Sequence, residues 1–492
     1  MSLINISNLT FAYDGSYDYI FENVSFQIDT NWRLGFTGRN GMGKTTFLNL
    51  LLGKYEYSGS ISGNVSFSYF PFAVEDKTLP TIDVLYAVNS DLELWEIERE
   101  ISLLDTDTDV LYRPFETLSN GEQTKVLLAA LFLRDNGYLL IDEPTNHLDL
   151  YARKAVSKYL RSKRGFMLVS HDRVFLDNCI DHILSINKTN IEIQRGNFSS
   201  WQENKERQDS FEFAENERLK RDVKRLQEGA KRAAQWSDKT EKGKYGKQSS
   251  GLRADRGFVG HKAAKMMSRA KNIEDRYTKS IEEKSKLLKN IESADSLKIS
   301  PLVYHSNRMI AFENVSVRYV DRVVCEGVSF SIEQGDRVAL CGKNGSGKSS
   351  IIKLICGEEI ACSGSIYKGS NLIISLVSQD ASHLQGSLTE YAEMSGIDES
   401  LFKAILSKLD FSKVQFEKNI SDFSEGQKKK VLLAKSLCEK AHLYIWDEPL
   451  NFIDVLSRMQ IEELLLQYRP TMLFVEHDEA FTDTIATKRV EL

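Results

Sequence analysis

Short apolar runs of strand length alternate with helical stretches along most of the chain. The runs at 34–36 and 338–340, for example, are each followed by a helical apolar stretch, at 47–52 and 351–355. Strands connected by helices are typical of a parallel sheet with helices packed on it. The longest continuous apolar run, at 126–133, has about eight residues, whereas a membrane-spanning helix needs roughly 20. The pattern therefore predicts an α/β protein without a transmembrane segment.

The chain contains one module written twice. Two pairs of segments carry the repeat, namely 33–45 (RLGFTGRNGMGKT) with 337–349 (RVALCGKNGSGKS), and 138–149 (YLLIDEPTNHLD) with 443–454 (LYIWDEPLNFID). Equivalent positions keep a steady offset of 304 to 306 residues. Because internal repeats define the architecture before single motifs do, we predict two copies of one domain, at 1–200 and 306–492.

Residues 201–305, between the copies, have a different pattern. Apolar residues there follow the three-and-four spacing of a coiled-coil seam, at Leu219, Val223, Leu226, Ala230 and Ala233. A comparable stripe runs through 273–291. We predict two antiparallel helices, each reaching roughly 50–60 Å, joined by a glycine-containing turn at about 237–260. The predicted fold is thus two tandem domains joined by a long α-helical hairpin.

A glycine-rich motif of the form G-x-x-x-x-G-K-[ST] occurs at 38–45 and at 342–349, each time between an apolar strand and an apolar helix. In such a loop backbone N–H groups wrap phosphates, the lysine neutralises the β- and γ-phosphate oxygens, and the hydroxyl binds Mg²⁺. A structural glycine turn would not account for two copies followed by the same further motifs. The residues expected to bind ATP are Gly38, Asn40, Gly41, Gly43, Lys44, Thr45 and Thr46, and Gly342, Asn344, Gly345, Gly347, Lys348, Ser349 and Ser350.

Acidic pairs end an apolar strand in each copy, 142–143 and 447–448. The first acid of each pair, Asp142 or Asp447, suits Mg²⁺ together with the hydroxyls of Thr45 and Ser349. The second acid can polarise the water that attacks the terminal phosphate. Strand-end histidines follow 29 and 30 residues after these aspartates, and we interpret them as sensors of that phosphate rather than as structural histidines. The predicted catalytic residues are Glu143, Glu448, His171 and His477.

With these motifs the chain resembles the ATP-binding-cassette superfamily, whose signature is present at 118–123 (LSNGEQ) and 423–427 (FSEGQ). The resemblance implies that the signature of one cassette closes over the ATP held by the other. Lys44, Glu143 and His171 would then pair with Ser424 and Gly426, and Lys348, Glu448 and His477 with Ser119 and Gly121. It also implies that Tyr13 and Tyr319 stack on adenine, although aromatic strand residues of a core would fit the same positions.

The two copies depart from the family pattern in different ways. Gln379 matches the glutamine that the family uses at Mg²⁺ and water, but Phe72 stands at the matching place in the first copy. One signature glycine is replaced by Asn120 in the first copy and by Glu425 in the second. Since a phenylalanine side chain can neither bind a metal ion nor position water, we expect the first site to be the weaker one.

Two cassettes on one chain around a basic hairpin resemble the ABC-F subfamily. Residues 218–279 contain 19 Lys/Arg and 7 Asp/Glu, which leaves a net charge of −18 for the rest of the chain. Basic residues mixed with aromatic ones suit RNA phosphates and unpaired bases, whereas a solvated charged face is the alternative for the helical stems. The predicted RNA-contacting tip consists of Trp236, Lys239, Lys242, Lys244, Tyr245, Lys247, Arg253, Arg256 and Phe258.

The nearest resemblance is to Lsa-type antibiotic-resistance ABC-F proteins, and it is carried by the segments at 11–14 (FAYD), 31–32 (NW), 287–290 (LLKN) and 444–451 (YIWDEPLN). It implies a cytoplasmic, monomeric ATPase that uses ATP and Mg²⁺ and pairs its cassettes within one chain. It further implies binding at the exit site of the 70S ribosome, contact with 23S rRNA and P-site tRNA, and release of lincosamides, pleuromutilins and streptogramin A. A housekeeping ABC-F translation factor and a transporter ATPase with separate membrane subunits are the alternatives.

Overall fold

The computed structural model describes residues 2–13, 19–39, 41–90, 92–134, 137–146, 148–186, 191–243, 265, 268, 298–319, 322–409, 411–451 and 453–492. Residues 1–201 and 294–492 form one compact unit, and residues 202–293 form a second. The first unit holds both copies of the sequence repeat, which we call the first and the second cassette.

Each cassette is built on a mainly parallel sheet and a smaller antiparallel sheet. The strands of the first cassette are β1 (Leu3–Phe11), β2 (Phe21–Asp29), β3 (Arg33–Thr37), β4 (Ser58–Ser62), β5 (Ser66–Phe70), β6 (Gly137–Asp142), β7 (Phe166–Val169), β8 (His182–Ile186) and β9 (Ile191–Arg195). The larger sheet has the order β5-β6-β7-β3-β8-β9, in which only β9 is antiparallel to its neighbour. The order β2-β1-β4 makes the smaller sheet.

The second cassette repeats this plan. Its strands are β10 (Arg308–Tyr319), β11 (Arg322–Glu333), β12 (Arg337–Cys341), β13 (Cys362–Lys368), β14 (Ile374–Val377), β15 (Leu443–Asp447), β16 (Met472–Val475) and β17 (Lys488–Glu491). The parallel sheet has the order β14-β15-β16-β12-β17, and β11-β10-β13 form the antiparallel sheet. Strands buried on both faces read as continuous apolar runs, which is why short apolar segments predicted β3, β7, β12 and β16.

Helices cover the sheets. In the first cassette they are α1 (Lys44–Leu51), α2 (Thr81–Val88), α3 (Leu94–Leu103), α4 (Asn120–Phe132), α5 (Leu150–Ser162) and α6 (Arg173–Cys179). In the second they are α8 (Lys348–Cys356), α9 (Leu388–Met394), α10 (Glu399–Lys408), α11 (Glu425–Cys438), α12 (Val455–Tyr468) and α13 (Glu479–Ile485). Together with the parallel sheets, they confirm the predicted α/β fold of two tandem cassettes.

A long helix, α7 (Phe198–Gly243), leaves the first cassette. Phe198 and Trp201 are buried in the core of that cassette and fix the start of the helix. The sequence analysis placed a turn from about 237, but the helix continues to Gly243. Residues 230–242 contain no glycine or proline, and a glycine is a common helix end, so the helix has no reason to stop earlier. The predicted second helix of the hairpin lies almost wholly outside the described residues.

No helix in the described part of the chain is long and apolar enough to cross a membrane. Each cassette instead has its own apolar cores, one below the phosphate loop and one under the helices that follow. Val455, on α12 of the second cassette, belongs to a core cluster of the first. The two cassettes therefore share apolar contact as well as polar contact.

Candidate functional site: two ATP cavities between the cassettes

The glycine-rich loops lie between a central strand and a helix in each cassette. Gly43 and Gly347 immediately precede helices α1 and α8, with left-handed φ angles of 91° and 100°. Such angles are readily adopted only by glycine. Lys44 Nζ donates to the carbonyl oxygen of Gly38 at 2.6 Å, and Lys348 Nζ donates to that of Gly342 at 2.9 Å. Both ammonium groups are thus held at the mouth of a loop whose N–H groups can bind phosphate.

The acid and histidine of the first cassette meet at the end of its parallel sheet. Asp142 ends β6, and Glu143 follows it with a left-handed φ of 50°. His171 Nε2 lies 3.4 Å from Glu143 Oε1. Burial, together with the charge of Asp142, raises the pKa of Glu143 to about 8. Burial and the charge of Lys44 lower the pKa of His171 well below its ordinary value, so that this imidazole is neutral.

The equivalent groups of the second cassette have more hydrogen bonds. Glu448 has a φ of 49°, and its Oε1 lies 3.3 Å from His477 Nε2. Its Oε2 accepts hydrogen bonds from Gln379 Nε2 at 2.9 Å and from Asn451 Nδ2 at 2.8 Å. Burial alone would raise the pKa of Glu448, but the hydrogen bonds from His477 and Gln379 hold it below the ordinary value. The surroundings of Glu448 therefore favour its ionised form, whereas those of Glu143 disfavour it.

The signature residues open two helices. Ser119 is the N-cap of α4 and forms a capping box with Glu122, and Ser424 forms the same box with Gln427 at the start of α11. These side chains satisfy N–H groups of the first helical turn, which would otherwise lack partners. Because a helix N-terminus carries partial positive charge, each signature presents a site that favours an anion.

Each signature helix lies across a cavity from the other cassette's phosphate loop. The first cavity, of about 520 Å³, is lined by Lys44, Glu143 and His171 of the first cassette and by Ser424 and Gly426 of the second. The second, of about 1030 Å³, is lined by Lys348, Glu448 and His477 of the second cassette and by Ser119 and Gly121 of the first. Gly41 and Thr45 also line the first cavity, and Asn344, Gly345, Gly347, Ser349, Ser350 and Gln379 the second.

The two candidate adenine-stacking residues are exposed. The Tyr13 side chain is 44% exposed, and its hydroxyl lies 2.8 Å from Thr46 Oγ1. Tyr319 is 43% exposed, and its hydroxyl lies 3.2 Å from Ser350 Oγ. Both rings are therefore tied to the helix that follows a phosphate loop, and neither belongs to a core. Asn40, the remaining predicted loop residue, lies outside the described residues.

Strand register shows that Phe72 and Gln379 occupy equivalent places. Phe70 pairs with Ile141 and Val377 with Trp446, in each case one residue before the strand-end aspartate. Phe72 and Gln379 are two residues further on. Phe72 packs against the apolar core of its cassette, with the Arg134 guanidinium 5.1 Å from its ring centre. The first cavity therefore lacks, at this place, the amide that contacts Glu448 in the second.

Four residues at or near the cavities were not predicted from the sequence. Tyr69 donates from its hydroxyl to Asp142 Oδ2 at 3.0 Å, whereas Leu376 has the corresponding register in the second cassette. Asp149 lines the second cavity and accepts a hydrogen bond from the backbone N of Asn344 at 3.3 Å. Lys430 Nζ lies 3.3 Å from Asp454 Oδ2 beside the first cavity. Asp149 and Asp454 are the last residues of the two repeated 12-residue segments, and this shared position is the feature of the sequence that could have identified them.

The residues at both strand ends fit a magnesium ion. Thr45 Oγ1 lies 3.4 Å from Asp142 Oδ2, and a hydrogen bond from Ser349 partly offsets the burial that raises the pKa of Asp447. Asp447 Oδ1 is buried and has no hydrogen-bond partner within the described ranges. Hydroxyl and carboxylate oxygens, with the amide oxygen of Gln379, are the hard ligands that Mg²⁺ prefers.

The predicted RNA-contacting tip is described only in part. Trp236, Lys239 and Lys242 belong to helix α7, but the structure does not describe their side chains. The remaining tip residues, Lys244, Tyr245, Lys247, Arg253, Arg256 and Phe258, lie outside the described residues.

Phosphate loops at the ends of parallel strands and two cavities between two cassettes define a class of protein, the P-loop ATPases with paired nucleotide-binding domains on one chain. Comparison with known families gives one match in each half of the chain, at residues 21–146 and 325–451, and both matches are to the ABC transporter family. The chain therefore belongs to the ABC transporter family, and it is an ATPase with two ATP-binding domains.

Individual proteins are also similar to this chain over most of its length. The ribosome protection protein VmlR of Bacillus subtilis is 27% identical over 99% of this chain and 86% of its own length. The energy-dependent translational throttle protein EttA of Escherichia coli K12 is 26% identical over 95% of this chain and 88% of its own length. The ATP-binding protein Uup of Caulobacter vibrioides is 27% identical over 96% of this chain and 74% of its own length. These relatives support the resemblance to the ABC-F subfamily that the sequence motifs indicate.

Solved structures resemble the chain in fold. The archaeal ribosome recycling factor aABCE1, in complex with the ribosomal stalk protein aP1, matches 98% of this chain and 87% of its own, with a TM-score of 0.63 and 18% identity. A structure of RNase-L Inhibitor matches 98% of this chain and 86% of its own, with a TM-score of 0.62 and 18% identity. At this identity the likeness concerns the arrangement of the tandem cassettes.

Proposed function

We propose that each cavity between the cassettes binds and hydrolyses one ATP. The observation that carries the proposal is the meeting, in each cavity, of a phosphate-loop lysine from one cassette and a signature helix N-terminus from the other. The lysine ammonium and the partly positive helix N-terminus can hold the β- and γ-phosphates from opposite sides. Because neither cassette supplies both ends of a cavity, hydrolysis would require the cassettes to be close together.

In the second cavity the groups are arranged for attack by water. Glu448, ionised and oriented by Gln379 and Asn451, is positioned to accept a proton from the attacking water. His477, close to the same carboxylate, would donate towards the terminal phosphate. Lys348 would neutralise charge on the transferring phosphoryl group. Ser349 and Asp447 would hold a magnesium ion, which would supply positive charge to polarise the phosphates when bound.

The first cavity has fewer groups suited to ATP hydrolysis than the second. Burial and the charge of Asp142 raise the pKa of Glu143 to about 8, which disfavours the ionised form that could accept a proton from water at neutral pH. Phe72 supplies no amide, and Tyr69 occupies an oxygen of Asp142. Glu425 lines this cavity as a further acid beside the anion-binding helix end. We infer that the first site binds ATP more weakly and hydrolyses it more slowly than the second.

We propose that this chain uses ATP to act on the ribosome. VmlR is named as a ribosome protection protein and EttA as a translational throttle protein, and residues 218–279 carry a surplus of 12 positive charges. A basic segment of this kind suits RNA phosphates. We propose that the chain acts in the cytoplasm, binds the ribosomal exit site, and uses the segment 201–305 to reach 23S rRNA and P-site tRNA. Hydrolysis would then permit release.

The Lsa-type motifs favour a resistance role over a housekeeping one. In this proposal the tip at 237–260 shifts P-site tRNA and dislodges a lincosamide, pleuromutilin or streptogramin A from the peptidyl-transferase centre. The test is translation in vitro with a pleuromutilin, comparing the full chain with a variant in which 240–257 is replaced by a brief glycine linker. We expect the shortened chain to keep ATPase activity and ribosome binding but to lose protection.

A control variant separates charge from length. Lys239, Lys242, Lys244 and Lys247 changed to glutamine keep the length of the segment but remove its phosphate attraction, so the loss of protection relative to the unaltered chain should be largest at low salt. Full protection by the shortened chain would contradict a role for the tip. Absence of protection by the unaltered chain, with ribosome binding retained, would instead favour the housekeeping translation factor.

A further inference from the structure

The guanidinium of Arg153 is buried at the contact between the two cassettes. Its Nε donates to the carbonyl oxygen of Leu148 at 3.0 Å, and its Nη1 donates to Asp172 Oδ2 at 2.9 Å. Nη1 also donates to the carbonyl oxygen of His477, in the other cassette, at 3.1 Å. Since Asp172 directly follows His171, one side chain joins the histidine loop of the first ATP site to that of the second.

Two ion pairs near Arg153 also join the two cassettes. Lys154 Nζ forms an ion pair with Glu479 Oε1 at 2.9 Å, and Arg173 forms a second one with Glu462. In both pairs the base comes from the first cassette and the acid from the second. Ion pairs on neighbouring helices cross the same contact. The hydrogen bond from Arg153 to the His477 carbonyl therefore belongs to a set of polar contacts between the cassettes.

Arg458 is the matched residue of the second cassette, and it is bonded differently. Like Arg153, it is buried and lies four residues after the aspartate that ends the repeated segment. Its donors contact the carbonyl oxygens of Ile453 and Leu450 and the carboxylate of Asp478. These acceptors belong to its own cassette, so the bridge made by Arg153 is a feature of one side.

We propose that Arg153 is a positioning residue that couples the two ATP sites, by linking the His171 loop to the His477 loop across the cassette contact. The inference rests on the paired ATP sites proposed above. A guanidinium can hold several acceptors in one plane at fixed angles, whereas a lysine ammonium is a compact charge without that fork. Arg153→Lys therefore keeps the charge beside Asp172 and removes the defined geometry towards His477.

Single-site backgrounds separate this role from a general structural one. Glu143→Gln leaves turnover to the second site, and Glu448→Gln leaves it to the first. In the Glu143→Gln background we expect Arg153→Lys to lower kcat about tenfold with KM for ATP changed less than about twofold, because positioning of His477 acts on the chemical step. In the Glu448→Gln background Arg458→Lys should lower kcat less than about twofold.

The assay uses the full chain with ATP and no ribosome, so it does not depend on the proposed ribosomal role. Unchanged kcat for Arg153→Lys in the Glu143→Gln background overturns the inference, and so does an equal loss for Arg458→Lys. If neither glutamine substitution lowers turnover, the paired sites themselves are overturned.

A second variant guards against a folding defect. Should thermal unfolding show that Arg153→Lys is unstable, Arg153→Gln with Asp172→Asn removes both buried charges together and avoids leaving either unpaired. Loss of kcat in this double variant, with ATP binding intact, supports the coupling. Retention of kcat overturns it.

Discussion

The two proposed ATP sites differ at single residues, among them Phe72 in the first cassette and Gln379 at the equivalent place in the second. The sequence identified the phosphate-loop lysines, the paired acids and the histidines because each belongs to a motif that occurs twice. It also identified Phe72 as a departure. It gave no sign of Tyr69, whose effect on Asp142 arises from the pairing of two strands. Arg153 was equally hidden, since its third acceptor lies 324 residues away in the chain.

The glutamates provide the most direct comparison of the sites. We predict that Glu448→Gln lowers kcat for ATP more than Glu143→Gln does, because Glu448 is ionised and oriented while the pKa of Glu143 is raised to about 8. Steady-state phosphate release by the two purified variants, compared with the unaltered chain, measures this. Equal losses would mean that Phe72 and Tyr69 do not matter for turnover.

Two buried tyrosines test the packing account within one cassette. The Tyr138 hydroxyl is buried without a partner in the described part of the chain, whereas the Tyr159 hydroxyl donates to buried Glu100. We predict that Tyr138→Phe changes the free energy of unfolding by less than about 1 kcal/mol, and that Tyr159→Phe lowers it by about 1–3 kcal/mol. Thermal unfolding of the two variants would refute this if Tyr138→Phe were the more destabilised.

At the scale of elements, most strands and helices of the cassettes could be read from the sequence. Short apolar runs predicted the central strands, and the segments after each glycine-rich loop predicted α1 and α8. The end of α7 was predicted too early, because glycine content marked the turn region but did not say which glycine ends the helix. The relation of the signature helices to the opposite phosphate loops came from family resemblance alone, since sequence spacing says nothing about contacts between cassettes.

The signature helices differ in charge at their first residue, which is Asn120 in α4 and Glu425 in α11. Glu425 opposes an anion at a helix end that otherwise favours one. Measured in the background where only the first site turns over, Glu425→Asn should lower KM for ATP about two- to fivefold. Asn120→Glu should raise KM at the second site by a similar factor. Shifts of both KM values in the same direction would contradict this electrostatic account.

At the scale of the whole molecule, the repeat in the sequence was sufficient to predict two cassettes, and each proposed ATP site takes residues from both of them. Each ATP cavity takes its lysine, acid and histidine from one cassette and its signature from the other. Ion pairs and the shared core residue Val455 hold the cassettes together beside the cavities. We propose that ATP binding is thereby linked to cassette closure, and hydrolysis to reopening.

The measurement that tests this link most directly is ribosome sedimentation with the double variant Glu143→Gln and Glu448→Gln. Both substitutions nearly preserve shape and leave the lysines in place, so ATP should still bind while water is no longer activated. We predict that the double variant pellets with ribosomes in ATP but not in ADP, and that the unaltered chain is largely released in ATP. A double variant that binds ATP yet remains in the supernatant would contradict it.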